Sequence, residues 1–66
     1  MDIYLNGTSH KLGDAHSVAA LVAQLKLTDK AIAVAVNRHV VARHRWEEFQ
    51  LNANDHVDVV RAIGGG

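Results

Sequence analysis

The chain contains no cysteine and no proline, and a single tryptophan, tyrosine, phenylalanine and methionine in 66 residues. Without cysteine there is no disulfide framework, thiolate metal site or thiol nucleophile, so apolar side chains alone must build the core. A cytoplasmic location fits that composition. Long apolar runs are also missing: Ala31 to Val36, which no run exceeds, falls far short of the roughly 20 residues a membrane-spanning helix needs. The opening Met1-Asp2-Ile3 lacks a basic leader region, so a chain unprocessed at its N-terminus and without a membrane partner is expected. Charge of one sign is absent too, since seven basic residues face seven acidic ones. That balance excludes a dedicated nucleic-acid binder, whose affinity comes from clustered Lys and Arg releasing counterions, and directs attention to protein partners. A single domain of this length hides only about 60% of the surface of its unfolded chain. It has no depth for a catalytic pocket.

The residues present arrange themselves in a clear order. Ile3-Tyr4-Leu5-Asn6 alternates apolar and polar side chains and runs into Asn6-Gly7, a strong hairpin signal, so a returning strand is predicted near Thr8 to Leu12. Gly13-Asp14 breaks the extended chain. Ser17 then precedes Val18, Leu21, Val22 and Leu25 at helical spacing, which predicts an amphipathic helix capped by Ser17 and fading around Leu27. Some two and a half turns cannot stand alone, so the apolar stripe must lie on a sheet. Ile32, Val34 and Val36 alternate with Ala33 and Ala35 as a buried strand with a small-residue outer face. Asn37-Arg38-His39 reads as a turn and Val40-Val41-Ala42 as a short edge strand. Arg43 to Gln50 reads as a helical turn dropping Trp46 and Phe49 onto the core. After the polar turn Asn52 to Asp55, a last strand is predicted from His56 to Ile63, with Val57 and Val59 inward and Asp58 outward. A helix between the early and late strands implies a crossover, which places an early strand beside the final one in a mixed sheet. The fold class is α+β, with four to five strands and one main helix.

Three of the five glycines are Gly64, Gly65 and Gly66. Residues without Cβ atoms order poorly, so a flexible tail over 64–66 is expected behind a domain of residues 1–63. Ile63 to Gly66 can extend about 13 Å at roughly 3.3 Å per residue, far enough to thread a narrow channel into a partner's active site. The Gly66 carboxylate is then the group with covalent potential, because ATP can activate it as an acyl-adenylate that a nucleophile resolves. On spacing alone, a frayed end or linker accounts for the same glycines.

Several pieces taken together narrow this reading. They are Ile3-Tyr4-Leu5-Asn6-Gly7, Ser17-Val18-Ala19-Ala20-Leu21-Val22, Val34-Ala35-Val36-Asn37, and Val40-Val41 followed by Arg43 and Trp46. Asp55-His56-Val57-Asp58-Val59-Val60 and the closing Ala62-Ile63-Gly64-Gly65-Gly66 complete the set. Over its whole length the chain resembles the ubiquitin-like β-grasp proteins and, within them, the ThiS family of sulfur carriers of thiamine biosynthesis. That family commonly has glycine where this chain has Arg38, proline where it has Ala42 and glycine where it has Asn54. The resemblance implies a carrier and not an enzyme. It further implies that the Gly66 carboxylate is adenylated by an E1-like adenylyltransferase using Mg-ATP, with no cofactor bound by the carrier, that the adenylate becomes a thiocarboxylate with sulfur from a cysteine desulfurase or other donor, and that the sulfur passes to thiazole synthase. The small subunit of molybdopterin synthase and carriers feeding tRNA thiolation share the tail, and a non-covalent ubiquitin-like interaction module shares the fold.

Other constellations point elsewhere only weakly. The basic stretch Arg38 to Arg45 lacks the interleaved aromatics of a nucleic-acid surface. It reads as a solvated edge that discourages strand-to-strand aggregation, with Arg38, Arg43 or Arg45 steering the chain toward acidic partners. The five histidines have no metal-ligand spacing. Asp55 and Asp58 read as solvated carboxylates with no pocket to perturb them. Partner contact is expected from Val60, Ala62 and Ile63 beside the tail residues Gly64 and Gly65, together with Arg38 and Arg43.

Overall fold

The computed structural model describes residues 1–61; Ala62, Ile63 and the glycines 64–66, with the tail read there, lie outside the described residues. Its elements are β1 (Asp2–Leu5), β2 (Thr8–Lys11), α1 (Val18–Gln24), β3 (Ile32–Val36), β4 (His39–Val41), a 3₁₀ turn (Arg43–Arg45) and β5 (His56–Arg61). The five strands form one mixed sheet in the order β2-β1-β5-β3-β4. The crossover anticipated from the helix is present: β5 runs parallel to β1, with Tyr4 opposite His56 and Leu5 opposite Val57. On its other side β5 runs antiparallel to β3, from Val36 opposite Val57 to Ile32 opposite Arg61. The last strand thus occupies the centre of the sheet.

Two hairpins flank that centre, and each turns through two residues of positive φ. Asn6 and Gly7 have φ of 50° and 84°, and Asn37 and Arg38 have φ of 50° and 72°, the sign a tight primed turn requires. The second loop is therefore shorter than the sequence suggests. His39 belongs to β4, paired with Val36, because a two-residue turn matches the twist of the strands it joins.

Ser17 caps α1 as expected, its Oγ accepting the Ala20 N–H at 3.1 Å. The helix ends sooner than its apolar pattern, at Gln24. Lys26 takes φ of 61°, and the Lys26 N–H donates to Ala23 O while Leu27 N–H donates to Val22 O, both at 3.0 Å. Those paired bonds close the last turn in the manner usually given to glycine, and they carry Leu27 back toward the core as a half-buried side chain.

Val18, Leu21 and Val22 of α1 are buried in one cluster with Ile3, Ile32, Val34, Val36, Val41 and Val57 from the sheet. Burying each such side chain stabilises the fold by about 1.5–3 kcal/mol. Trp46 joins the cluster at 5% exposure and donates its indole N–H to Val41 O at 2.9 Å; Phe49 packs half-buried beside it. Leu12 and Leu51 are equally part of this core, at 0% and 4% exposure.

Candidate functional site

Alternation along β3 and β5 separates the two faces of the sheet. Ile32, Val34, Val36 and Val57 are buried under α1, with Val59 half-buried, whereas Ala33, Asp58 and Val60 are exposed on the opposite face. The register joins these outward residues into a patch, since Val60 lies opposite Ala33 and Val40 lies opposite Ala35. Val60 is 57% and Val40 78% exposed, the largest exposures among the large hydrophobic side chains of the described residues. A short apolar strip thus crosses the open face beside the end of β5, where the sequence places a partner contact at Val60.

At the start of β5 the same face becomes polar. Tyr4 and His56, paired across the parallel rung, stack with ring centroids 4.8 Å apart and planes at 19°. They line an open hollow of about 420 Å³ together with Gly7, Asn37, Arg38 and Asp58. Asp58, read from sequence as a strand carboxylate without a pocket, therefore sits at the edge of one. Asp55 does different work: its carboxylate accepts the Asn52 N–H at 2.8 Å and the Asn37 Nδ2–H at 3.1 Å, fixing the turn before β5. Of its members only Arg38 is expected at a partner contact from sequence; the hollow itself is not visible in single-strand patterns, because Tyr4 meets His56 only through the parallel register.

The basic residues divide. Arg38 lines the hollow. Arg43 is committed elsewhere, donating to Thr28 O at 3.3 Å and Lys30 O at 2.8 Å, with its guanidinium 4.6 Å from the centroid of Trp46. It binds the α1–β3 loop to the core. Arg45 faces solvent in an ion pair with Glu48 at 3.8 Å, a contact worth about 0–1 kcal/mol. No group of three His, Cys, Asp or Glu residues that could hold a metal ion occurs among the described residues. His10 instead bonds Gln24 at 2.8 Å, joining β2 to α1. No helix among the described residues is long and apolar enough to cross a membrane.

The remaining predicted positions, Ala62, Ile63, Gly64, Gly65 and Gly66, follow directly on β5 and lie outside the described residues. What the described part contributes is their launching point: a central strand held between two neighbours, with an apolar strip and a polar hollow on one face.

Comparison with known proteins agrees with this geometry. A thiazole synthase from Magnetococcus marinus is 33% identical over 66 residues, which is 100% of this chain and 20% of that protein. The chain thus spans about a fifth of the length of the thiazole synthases it matches. The sulfur carrier protein ThiS of Bacillus subtilis is 29% identical over 65 residues, covering 97% of this chain and 98% of that one. The crystal structure of the thiamine biosynthesis protein ThiS from Geobacter metallireducens superposes with a TM-score of 0.84 at 25% identity over the full length of both chains, and the ubiquitin-like β-grasp fold expected from sequence is the fold they share. A sequence model of the ThiS family matches residues 3–66, glycine end included, and the chain belongs to the ThiS family.

Proposed function

We propose that this chain is a sulfur carrier of thiamine biosynthesis that works through the carboxylate of Gly66. The observation that carries the reading is the extent of the family match, which runs from β1 through the three closing glycines without a break. The carboxylate attacks the α-phosphorus of Mg-ATP on an E1-like adenylyltransferase, releasing pyrophosphate and leaving an acyl-adenylate. A persulfide supplied through a cysteine desulfurase then adds to the carbonyl and expels AMP, and a thiol reductant cleaves the resulting acyl disulfide to leave the thiocarboxylate; a donor already at the sulfide level gives it directly. Glycines without side chains suit passage through a narrow channel. The carrier supplies the acyl group and its delivery; the phosphate-binding and proton-transfer groups belong to its partners.

Thiazole synthase is the proposed acceptor of the sulfur. Support comes from the names of the relatives: one is a free-standing sulfur carrier, and another is a thiazole synthase that includes a segment similar to this entire chain. On the carrier's side, the apolar strip at Val60, Ala33 and Val40 is the proposed docking surface, with Arg38 at its polar end guiding approach to acidic rims. A cytoplasmic site of action fits the cysteine-free composition.

The test is an intact-mass measurement after incubation with the adenylyltransferase, ATP and a sulfur source. Replacement of one oxygen by sulfur at Gly66 is expected. An unchanged mass under conditions that convert the Bacillus subtilis carrier would overturn the reading. Removing Gly65 and Gly66 is expected to abolish conversion; partner binding that persists undiminished without them would favour a non-covalent module.

A further inference from the structure

We infer that Asn6 is a positioning residue for the outgoing end of β5, supplying with its side chain the rung of sheet that β1 no longer provides. The inference rests on the sulfur-carrier reading above, because it concerns how the reacting end of the chain is presented to a partner.

On its β1 side, β5 is first tied by backbone. The Tyr4 N–H donates to Asp55 O at 2.8 Å and the Asn6 N–H to Val57 O at 2.9 Å. There β1 ends, and the chain turns away through Asn6 and Gly7 toward β2. Pairing with β3 continues to Arg61, so beyond Val57 the outgoing strand would be held on one side alone. The Asn6 side chain fills the place of the missing strand. Its Oδ1 accepts the Val59 N–H at 2.9 Å and its Nδ2 donates to Val59 O at 3.3 Å. A carboxamide has the donor and acceptor layout of a peptide group, so this reciprocal pair imitates one more step of backbone pairing. Among the described residues it is the last tie on that edge of β5.

The turn alone does not require asparagine at this position. With φ of 50°, glycine would serve the backbone equally well, but it would supply neither bond. Asparagine satisfies both demands, because it tolerates the left-handed region and carries the amide. A strand end held on both sides keeps its direction; one held on a single side pivots about that neighbour. Pivoting lowers the fraction of carriers presented in line with a narrow channel without altering the carboxylate once it has entered. The consequence falls on KM for the carrier and leaves kcat in place.

The experiment compares the full chain with Asn6→Gly, which keeps the turn and removes both bonds, and Asn6→Asp, which keeps the acceptor and loses the donor. Amide hydrogen exchange at Val59 and steady-state adenylation by the E1-like adenylyltransferase are measured, with thermal unfolding alongside. For Asn6→Gly, exchange at Val59 is expected to accelerate on the order of tenfold, and KM for the carrier to rise roughly threefold or more while kcat stays within about twofold. Asn6→Asp is expected between the two. Unchanged KM in Asn6→Gly, with Val59 exchange accelerated, overturns the inference. So does a loss of kcat/KM that tracks the unfolded fraction and disappears on cooling, because it marks a purely structural bond. If the wild-type chain is not adenylated, the carrier reading itself fails and the positioning role falls with it, while Val59 exchange still reports whether the clamp exists.

Discussion

Among the described residues, five other than glycine hold positive φ: Asn6, Lys26, Asn37, Arg38 and Asn54. Asparagine accepts that region readily, but a lysine or arginine there gives up about 1–2 kcal/mol to contact between its Cβ and the backbone. Lys26→Gly is therefore expected to raise stability by about 0.5–1 kcal/mol, after allowance for the greater freedom of glycine in the unfolded chain; denaturant titration checks it. Arg38→Gly relieves the same strain but removes the cation lining the hollow, so it is expected to raise Tm while slowing association with an acidic partner at low salt. The three departures from the common ThiS pattern are consistent with one backbone. Arg38 and Asn54 have φ of 72° and 69°, where glycine is at ease, and Ala42 has φ of −62° and ψ of 144°, the angles proline prefers. Sequence made the Asn6-Gly7 turn legible because residue type and conformation agree there. Lys26 gave no sign of ending a helix, since nothing in a lysine signals a left-handed turn.

At the scale of elements, legibility followed periodicity. β3 was readable because bulky and small residues alternate through it, and α1 because Val18, Leu21 and Val22 recur on one face. Leu12 and Leu51 were not, since each is a lone apolar residue beside turn segments and has no period to betray it. Leu51 is nevertheless fixed: its N–H donates to His16 O at 2.7 Å, and the neighbouring Gln50 bridges Ser17. Leu51→Ala is expected to cost about 2–5 kcal/mol by leaving a cavity under the start of α1. For Ser17→Ala the expected loss is about 1 kcal/mol, through the released Ala20 N–H. Chemical denaturation of the two single variants and the double variant would expose coupling between them, which the Gln50–Ser17 bridge leads us to expect. The hollow escaped sequence reasoning for a different reason. Its walls come from β1, the β1–β2 turn, β5 and the β3–β4 turn, and the parallel register that aligns Tyr4 with His56 depends on a crossover whose alignment no local pattern encodes.

For the molecule as a whole, the separation of faces decides which substitutions disturb folding and which disturb recognition. Val60→Asp is expected to change stability by no more than about 0.5 kcal/mol, yet to weaken carrier–partner association measurably by titration calorimetry, because it places a charge on the apolar strip. Leu21→Ala is the converse, costing about 2–5 kcal/mol in a domain whose total stability at this length is on the order of 3–10 kcal/mol, so partial unfolding at physiological temperature is expected by circular dichroism. The central position of β5 also bears on how the protein is made. The two hairpins, β1–β2 and β3–β4, are synthesised first and touch each other chiefly through a strand that does not yet exist. A nascent chain ending at Asn52 thus holds two hairpins that share α1 but have no strand pairing between them, and such a truncated chain is expected to lack cooperative unfolding. Completion of the sheet waits for the ribosome to release β5. On the carrier reading, the segment that closes the fold therefore emerges immediately ahead of the reactive glycine end, and synthesis delivers a competent tail only on a chain whose last strand is already available to fold.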